Sequence, residues 1–272
     1  MAIITISREL AALGDETANE LAGLMNCRLV DKNYLENRIK SYGEAEGISV
    51  NYDEKKSSFL SSFSHNKDAY LHFLKTAILE EAGQNCIFIG RGAGMILKNI
   101  PGVFPVLLAA PMEIRLERVK SYFHCDEHHA RQVISQSDRG REGFYRYFFD
   151  SEWQGSGNYL LTLNTGLLHP AVCAEIVKYT MDRTITPEAD KQNHERINEL
   201  RLEQTIKHNI IYQKSIVIHF LEVIVSKDNV KLYGVASSQA LVEAAITIAK
   251  EIIPDAAVHS EIKVVQEYSY IP

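Results

Sequence analysis

Several things are missing from this sequence. No run approaches the roughly 18 consecutive apolar residues of a membrane span, so none is expected. The start, MAIITISREL, has no basic region followed by a long apolar core, so a secretory leader is not expected either. The four cysteines, Cys27, Cys86, Cys125 and Cys173, are far apart and form no C-x-x-C pair. They fit reduced thiols of a cytoplasmic protein better than a disulfide framework or a zinc site. An excess of positive charge is missing too. The net charge of −6 argues against broad nucleic-acid binding, while leaving room for a local basic pocket that takes a nucleotide. What remains is an ordinary soluble composition, long enough for one large or two modest domains.

The first stretch, residues 2–24, sets the pattern. Ile3 to Ile6 form a short buried-strand signal, Ser7, Arg8 and Glu9 break it, and Gly14 and Asp15 open a helix with Ala18, Leu21, Ala22 and Met25 on one face. Strand, tight loop and helix make a layout that binds phosphate at the helix N-terminus. The loop departs from the pattern G-x-x-x-x-G-K-[ST]. That pattern would put glycines at 8 and 13, lysine at 14 and a hydroxyl at 15, where the chain has Arg8, Leu13, Gly14 and Asp15. An ordinary strand–helix turn is the competing reading. Further strands are expected at 28–30, 86–89, 105–109 and 159–163, alternating with helices. This predicts an α/β fold: a parallel sheet with helices on both faces. Asp31, after the second strand, lies where such sheets bind ligands, or simply caps the helix 32–41. Arg91, between Gly90 and Gly92, is a planar fork suited to phosphate, or the partner of a structural carboxylate. His124, Cys125, His128 and His129 are too irregularly spaced for a metal site and read as a solvated helix start. Residues 137–149 place Arg139, Arg141 and Arg146 beside five aromatic residues. They read as a short hinged segment able to close over phosphates, or as a basic helix with an aromatic packing face. Residues 43–66 are polar and rich in Ser, Asn and Lys, and read as a mobile helical arm or a loop.

Composition shifts at 186–196, a charged stretch read as a linker or exposed helix. Beyond it, a helix near 197–211, strands near 216–225 and 230–236 around the turn Lys227-Asp228-Asn229, a helix over 238–253 and a strand over 257–265 predict a small α+β module.

Six motifs fall in one order: ISREL at 6–10, RLVD at 28–31, CIFIGRGAG at 86–94, AAPMEIRLERV at 109–119, DRGR at 138–141 and NYLLTLNTG at 158–166. In these, residues 2–180 resemble the cytidylate kinase-like family, a branch of the nucleoside monophosphate kinases. Together with the composition shift, this gives expected domains at 1–185 and 197–272 around the 186–196 linker. The resemblance implies a phosphate-binding loop at 7–16 that includes Ser7 and Gly14, monophosphate contacts from Asp31 and Arg91, and lid arginines Arg139 and Arg141. It also implies an ATP–magnesium donor and a nucleoside monophosphate or similar small acceptor. Arg8 would supply the charge of the absent lysine, and Arg8, Arg139 and Arg141 would be the catalytic set. The alternative is a non-catalytic nucleotide or anion sensor with a degenerate loop. Ala11, Ala12 and Leu13 fill that loop, and Leu160 stands where the family often has an acid. The stretches NVKLYGVASS and AVHSEIKVV resemble a BON domain, which implies phospholipid or small-ligand contact; packing or homodimerisation is the other reading.

Overall fold

The computed structural model describes residues 2–48 and 64–265. The chain divides into two compact units, Met1–His194 and Glu195–Pro272. In the first, strands β1 (Ile3–Arg8), β2 (Arg28–Val30), β3 (Cys86–Ile89), β4 (Val103–Ala109) and β5 (Leu161–Asn164) form one sheet in the order β2-β3-β1-β4-β5. All four pairings are parallel. Strands buried on both faces read as continuous apolar runs, and β1 and β3 do: Ile3, Ile4, Ile6, Ile87 and Phe88 are fully or almost fully buried. Ile6 sits opposite Ile89, the last residue of β3, while β1 runs on to Arg8 beside β4, so both carboxyl ends open on the same edge of the sheet.

The helices are α1 (Gly14–Met25), α2 (Lys32–Ala45), α3 (Ser64–Glu81), α4 (Ala93–Ile96), α5 (Met112–Phe123), α6 (Glu127–Phe149) and α7 (Pro170–Thr184). The core under the sheet includes Ala18 and Leu21 of α1 and Cys173, Ala174 and Val177 of α7. One expectation changes. Residues 137–149 are not a short hinged segment but the second half of a continuous 23-residue helix, α6. The helix after Gly-Arg-Gly is a single turn, α4. The His-Cys-His cluster lies at the α5–α6 turn, where Asp126 caps α6 by accepting from the His129 N–H at 2.8 Å and His128 bonds Gln132 at 3.0 Å. The stretch 186–196 is helical from Pro187 onward, within α8 (Pro187–His208). Most of the 43–66 expectation lies outside the described residues.

In the second unit, β6 (His219–Ser226) pairs antiparallel with β7 (Asn229–Ala236), and β7 pairs parallel with β8 (Ala257–Val264). The helix α9 (Gln239–Ile252) lays Val242, Ala245, Ile248 and Ala249 into a core shared with Val223, Val225, Val230 and Leu232. Gly234 opposite the β6 bulge is required: a Cβ there would lie 2.6 Å from Ile218 and 3.0 Å from the His219 carbonyl. Glu203 ties α8 to the sheet, accepting from the Val225 N–H at 3.1 Å and pairing with Arg196, also on α8, at 3.1 Å. Its burial pushes its carboxyl above the usual range. Because this core is self-contained, a fragment of residues 187–272 is expected to melt cooperatively on its own; a non-cooperative, featureless melt by circular dichroism would contradict this. Among the described residues, no helix is long and apolar enough to cross a membrane.

Candidate functional site

The site grows from the end of β1. Arg8 threads its side chain between two glycines that are distant in sequence. A Cβ on Gly14 would lie 2.7 Å from the Arg8 Cβ, and one on Gly90 would lie 2.6 Å from its Nη1. Its guanidinium is paired with Asp15 at 3.2 Å, in the first turn of α1. The loop that follows keeps a glycine-type path without glycines: Ala11 and Leu13 have φ of 60° and 50°. Left-handed backbone costs a non-glycine residue about 1–2 kcal/mol, so the surroundings must hold it. They do. Arg115 Nε donates to the Leu10 carbonyl at 2.7 Å, and Arg118 Nη1 donates to the Ala11 carbonyl at 2.9 Å. The Thr17 N–H and hydroxyl both donate to the Leu13 carbonyl, at 3.0 and 2.8 Å. Glu9 accepts from the Ala110 N–H at 3.0 Å and from Gln154 at 2.7 Å.

At the end of β3, Gly90, Arg91 and Gly92 have φ of 74°, 51° and 67°. This run turns the chain sharply into α4. Arg91 is buried; its Nε meets Glu36 Oε1 at 2.7 Å, and the same oxygen accepts the Tyr70 hydroxyl at 2.8 Å. Its guanidinium also lies 5.3 Å from the Phe144 ring centre. Arg91 therefore has the structural carboxylate partner of the second reading, and it also borders the cavity. Asp31 takes the capping role, accepting from the Tyr34 N–H at 2.7 Å.

From α6 come Ser137, Arg141, Phe144 and Tyr145. Arg141 Nη1 donates to Ser137 Oγ at 2.7 Å and reaches Asp138 at 3.3 Å. Tyr145 and Ser7 share a hydroxyl–hydroxyl hydrogen bond of 3.1 Å, and burial pushes the Tyr145 phenol up.

A cavity of about 230 Å³ opens among Ser7, Arg8, Lys32, Arg91, Arg141 and the aromatic side chains of Phe144, Tyr145 and Trp153, with Gly90 and Ser137 completing the wall. Four cationic side chains and, among the described residues, no carboxylate line it. Of the sequence candidates, the fold brings Ser7, Arg8, Arg91 and Arg141 together here. Gly14 and Asp31 do not line this cavity; Gly14 instead accommodates the Arg8 side chain. Arg139 is exposed on α6 and does not line it either. The sequence reading missed Lys32, Ser137 and Trp153. Lys32 could have been found as the residue after Asp31 at the same strand end. Trp153 is the chain's one tryptophan, and it is buried.

A parallel five-stranded sheet with a cationic cavity at the ends of β1 and β3 is the frame of a kinase-like α/β domain. Residues 3–167 match the cytidylate kinase-like family, and the chain belongs to it. Residues 198–266 match the BON domain. Among solved structures, the chain is similar to an uncharacterized protein from Eubacterium ventriosum. The identity is 19%, the match covers 67% of this chain and 99% of that one, and the TM-score is 0.52. It is also similar to shikimate kinase from Bacteroides thetaiotaomicron, with 13% identity, 66% and 98% coverage, and a TM-score of 0.41. No curated protein matches the chain.

Proposed function

We propose that the first unit binds a small phosphorylated ligand in the cavity between β1, β3 and α6, and that it does so as a sensor-like member of a kinase-like family. The observation that carries this reading is the cavity wall: Arg8, Lys32, Arg91 and Arg141 with three aromatic residues and no lining carboxylate among the described residues. Guanidinium groups take phosphate oxygens in charge-assisted pairs, and the aromatic walls give a planar group something to stack on. The volume, about 230 Å³, is below the roughly 300–1,000 Å³ usual for drug-sized ligands, which favours a compact monophosphate.

The phosphate loop supports binding over transfer. A magnesium–triphosphate donor does not fit it as it stands. Gly14 occupies the place of the lysine, and the Leu10 N–H of the loop already donates to Asp138 Oδ1 at 3.3 Å. The carboxylate of Asp15 stands at the start of α1, where it opposes an incoming polyphosphate. Phosphoryl transfer to a nucleoside monophosphate is the second reading, favoured by the retention of Arg8 and Arg141 in one wall. In either case the second unit's BON match supports a lipid or small-ligand contact made separately.

Trp153 supplies the assay. Its ring centre lies 6.0 Å from the Arg141 guanidinium, so its emission reports on the cavity. Titration of the full chain with inorganic phosphate, pyrophosphate, CMP and ATP is expected to change Trp153 emission with the monophosphates. Arg141→Gln is expected to weaken that binding by at least roughly tenfold, because it removes one charge-assisted hydrogen-bond donor group from the wall. A flat titration with every ligand would sink the reading. ADP production from ATP and CMP would promote the second reading.

A further inference from the structure

We infer that the carboxylate of Asp138 is an internal anion that occupies the phosphate loop and regulates the cavity, competing with a phosphorylated ligand for Arg141. This rests on the anion-binding reading of the cavity.

Asp138 stands on α6 just before Arg141. Its Oδ1 accepts the Leu10 N–H of the loop at 3.3 Å and Arg141 Nη1 at 3.3 Å. Its Oδ2 accepts Arg115 Nη2. A loop N–H and two guanidinium groups are the donors by which proteins commonly hold a phosphate. Here they hold a side chain of the same chain.

The two arginines differ in how firmly they are committed. Arg115 is buried and also bonds Glu9 Oε2 at 3.3 Å and the Leu10 carbonyl at 2.7 Å. It keeps two partners without Asp138. Arg141 lines the cavity, and its 3.3 Å approach to Asp138 is longer than its 2.7 Å bond to Ser137 Oγ. Arg141 is therefore the exchangeable member and Arg115 the anchor. A phosphate in the cavity draws Arg141 toward itself, and Asp138 retains Arg115. Until that happens, Asp138 offsets one positive charge of the wall and ties α6 to the loop.

The test uses the full chain, with inorganic phosphate and pyrophosphate as probes and Trp153 emission as the readout. Asp138→Asn removes the charge at nearly constant shape, and is expected to tighten binding of both probes by roughly tenfold. Asp138→Glu keeps the charge and is expected not to tighten it. If the Asn variant does not reach the wild-type fold, Asp138→Ser carries the same expectation, since Arg115 still has Glu9. Unchanged or weaker binding in a folded Asn or Ser variant overturns the inference. So does equal tightening by Glu, which would mean that loosening α6 suffices. The two readings fail separately. If wild-type binding is abolished in Arg141→Gln yet unaffected by Asp138→Asn, only the internal anion is refuted. If neither wild type nor variant binds phosphate, the cavity reading falls as well.

Discussion

Arg91→Ala is expected to destabilise the first unit by about 3–5 kcal/mol, because it strands a carboxylate. The Arg91 side chain is 2% exposed and that of Glu36 16%, and their ion pair is 2.7 Å long. Removing one member of a buried pair costs far more than the pair contributes, because the survivor keeps its desolvation penalty without the charge that offset it. The Tyr70 hydroxyl, 2.8 Å from the same oxygen, leaves Glu36 one neutral partner, which softens the effect without cancelling it. For a unit of this size each kcal/mol lowers the midpoint by roughly 2–4 °C, so a fall of roughly 6–20 °C is expected in a thermal melt. The double variant Arg91→Ala with Glu36→Gln should recover part of it, since the stranded carboxylate is then gone. A melt unchanged in Arg91→Ala would mean that Glu36 is solvated well enough to stand alone. Binding is the second readout. Arg91 also borders the cavity, so phosphate titration of the stable double variant measures its contribution to the anion site separately from its contribution to the fold.

The two readings of Arg91 illustrate what a sequence carries. Its position was legible: a buried apolar run, Cys86 to Ile89, followed by glycine, arginine and glycine marks a strand end and a sharp turn. Its partner was not, because Glu36 lies on α2, far earlier in the chain, and nothing local marks it. The same holds for Arg8. The strand, the loop and α1 follow from residues 3–25, but the slot that holds Arg8 is made by Gly14 and Gly90, and only the β1–β3 pairing brings Gly90 there. The continuity of α6 is a different kind of miss. Ser137, Asp138 and Gly140 look like a break, yet the buried positions Ala130, Ile134, Phe144, Tyr145 and Phe148 keep a helical period across it. Asp138, within that apparent break, faces the loop and the cavity wall, where its partners are Leu10, Arg115 and Arg141. In the second unit, apolar alternation in β6 and the three- and four-residue spacing in α9 marked the elements within a few residues, since one face of each is buried in a single small core.

Gly92→Ala tests how tightly the two halves of the cavity are joined, and its expected cost is the sum of two effects. The backbone at Gly92 has φ of 67°, a left-handed conformation that costs an alanine about 1–2 kcal/mol. The added Cβ would also lie 2.6 Å from Phe149 Cζ and 3.3 Å from Phe144 Cε1, both on α6. These rings are not free to swing away. Phe144 and Phe149 pack edge to face at 6.0 Å, Phe144 lies against Phe148 at 4.8 Å, and Phe148 against Tyr70 at 5.2 Å. Overpacking of this kind costs about 1–3 kcal/mol, so a total of about 2–5 kcal/mol is expected in the melt. The displacement has a direction. To admit the methyl group, the end of α6 must move away from the β3 turn, carrying the Phe144 side of the cavity with it and away from Arg91 and Gly90. Phosphate binding read by Trp153 should therefore weaken along with stability. Phe149→Leu in the same chain removes the ring atoms that the methyl group meets, and should restore part of both. If Gly92→Ala lowers the melting temperature and leaves phosphate affinity intact, the cavity does not depend on the seating of α6 against this turn, and the aromatic cluster serves packing alone.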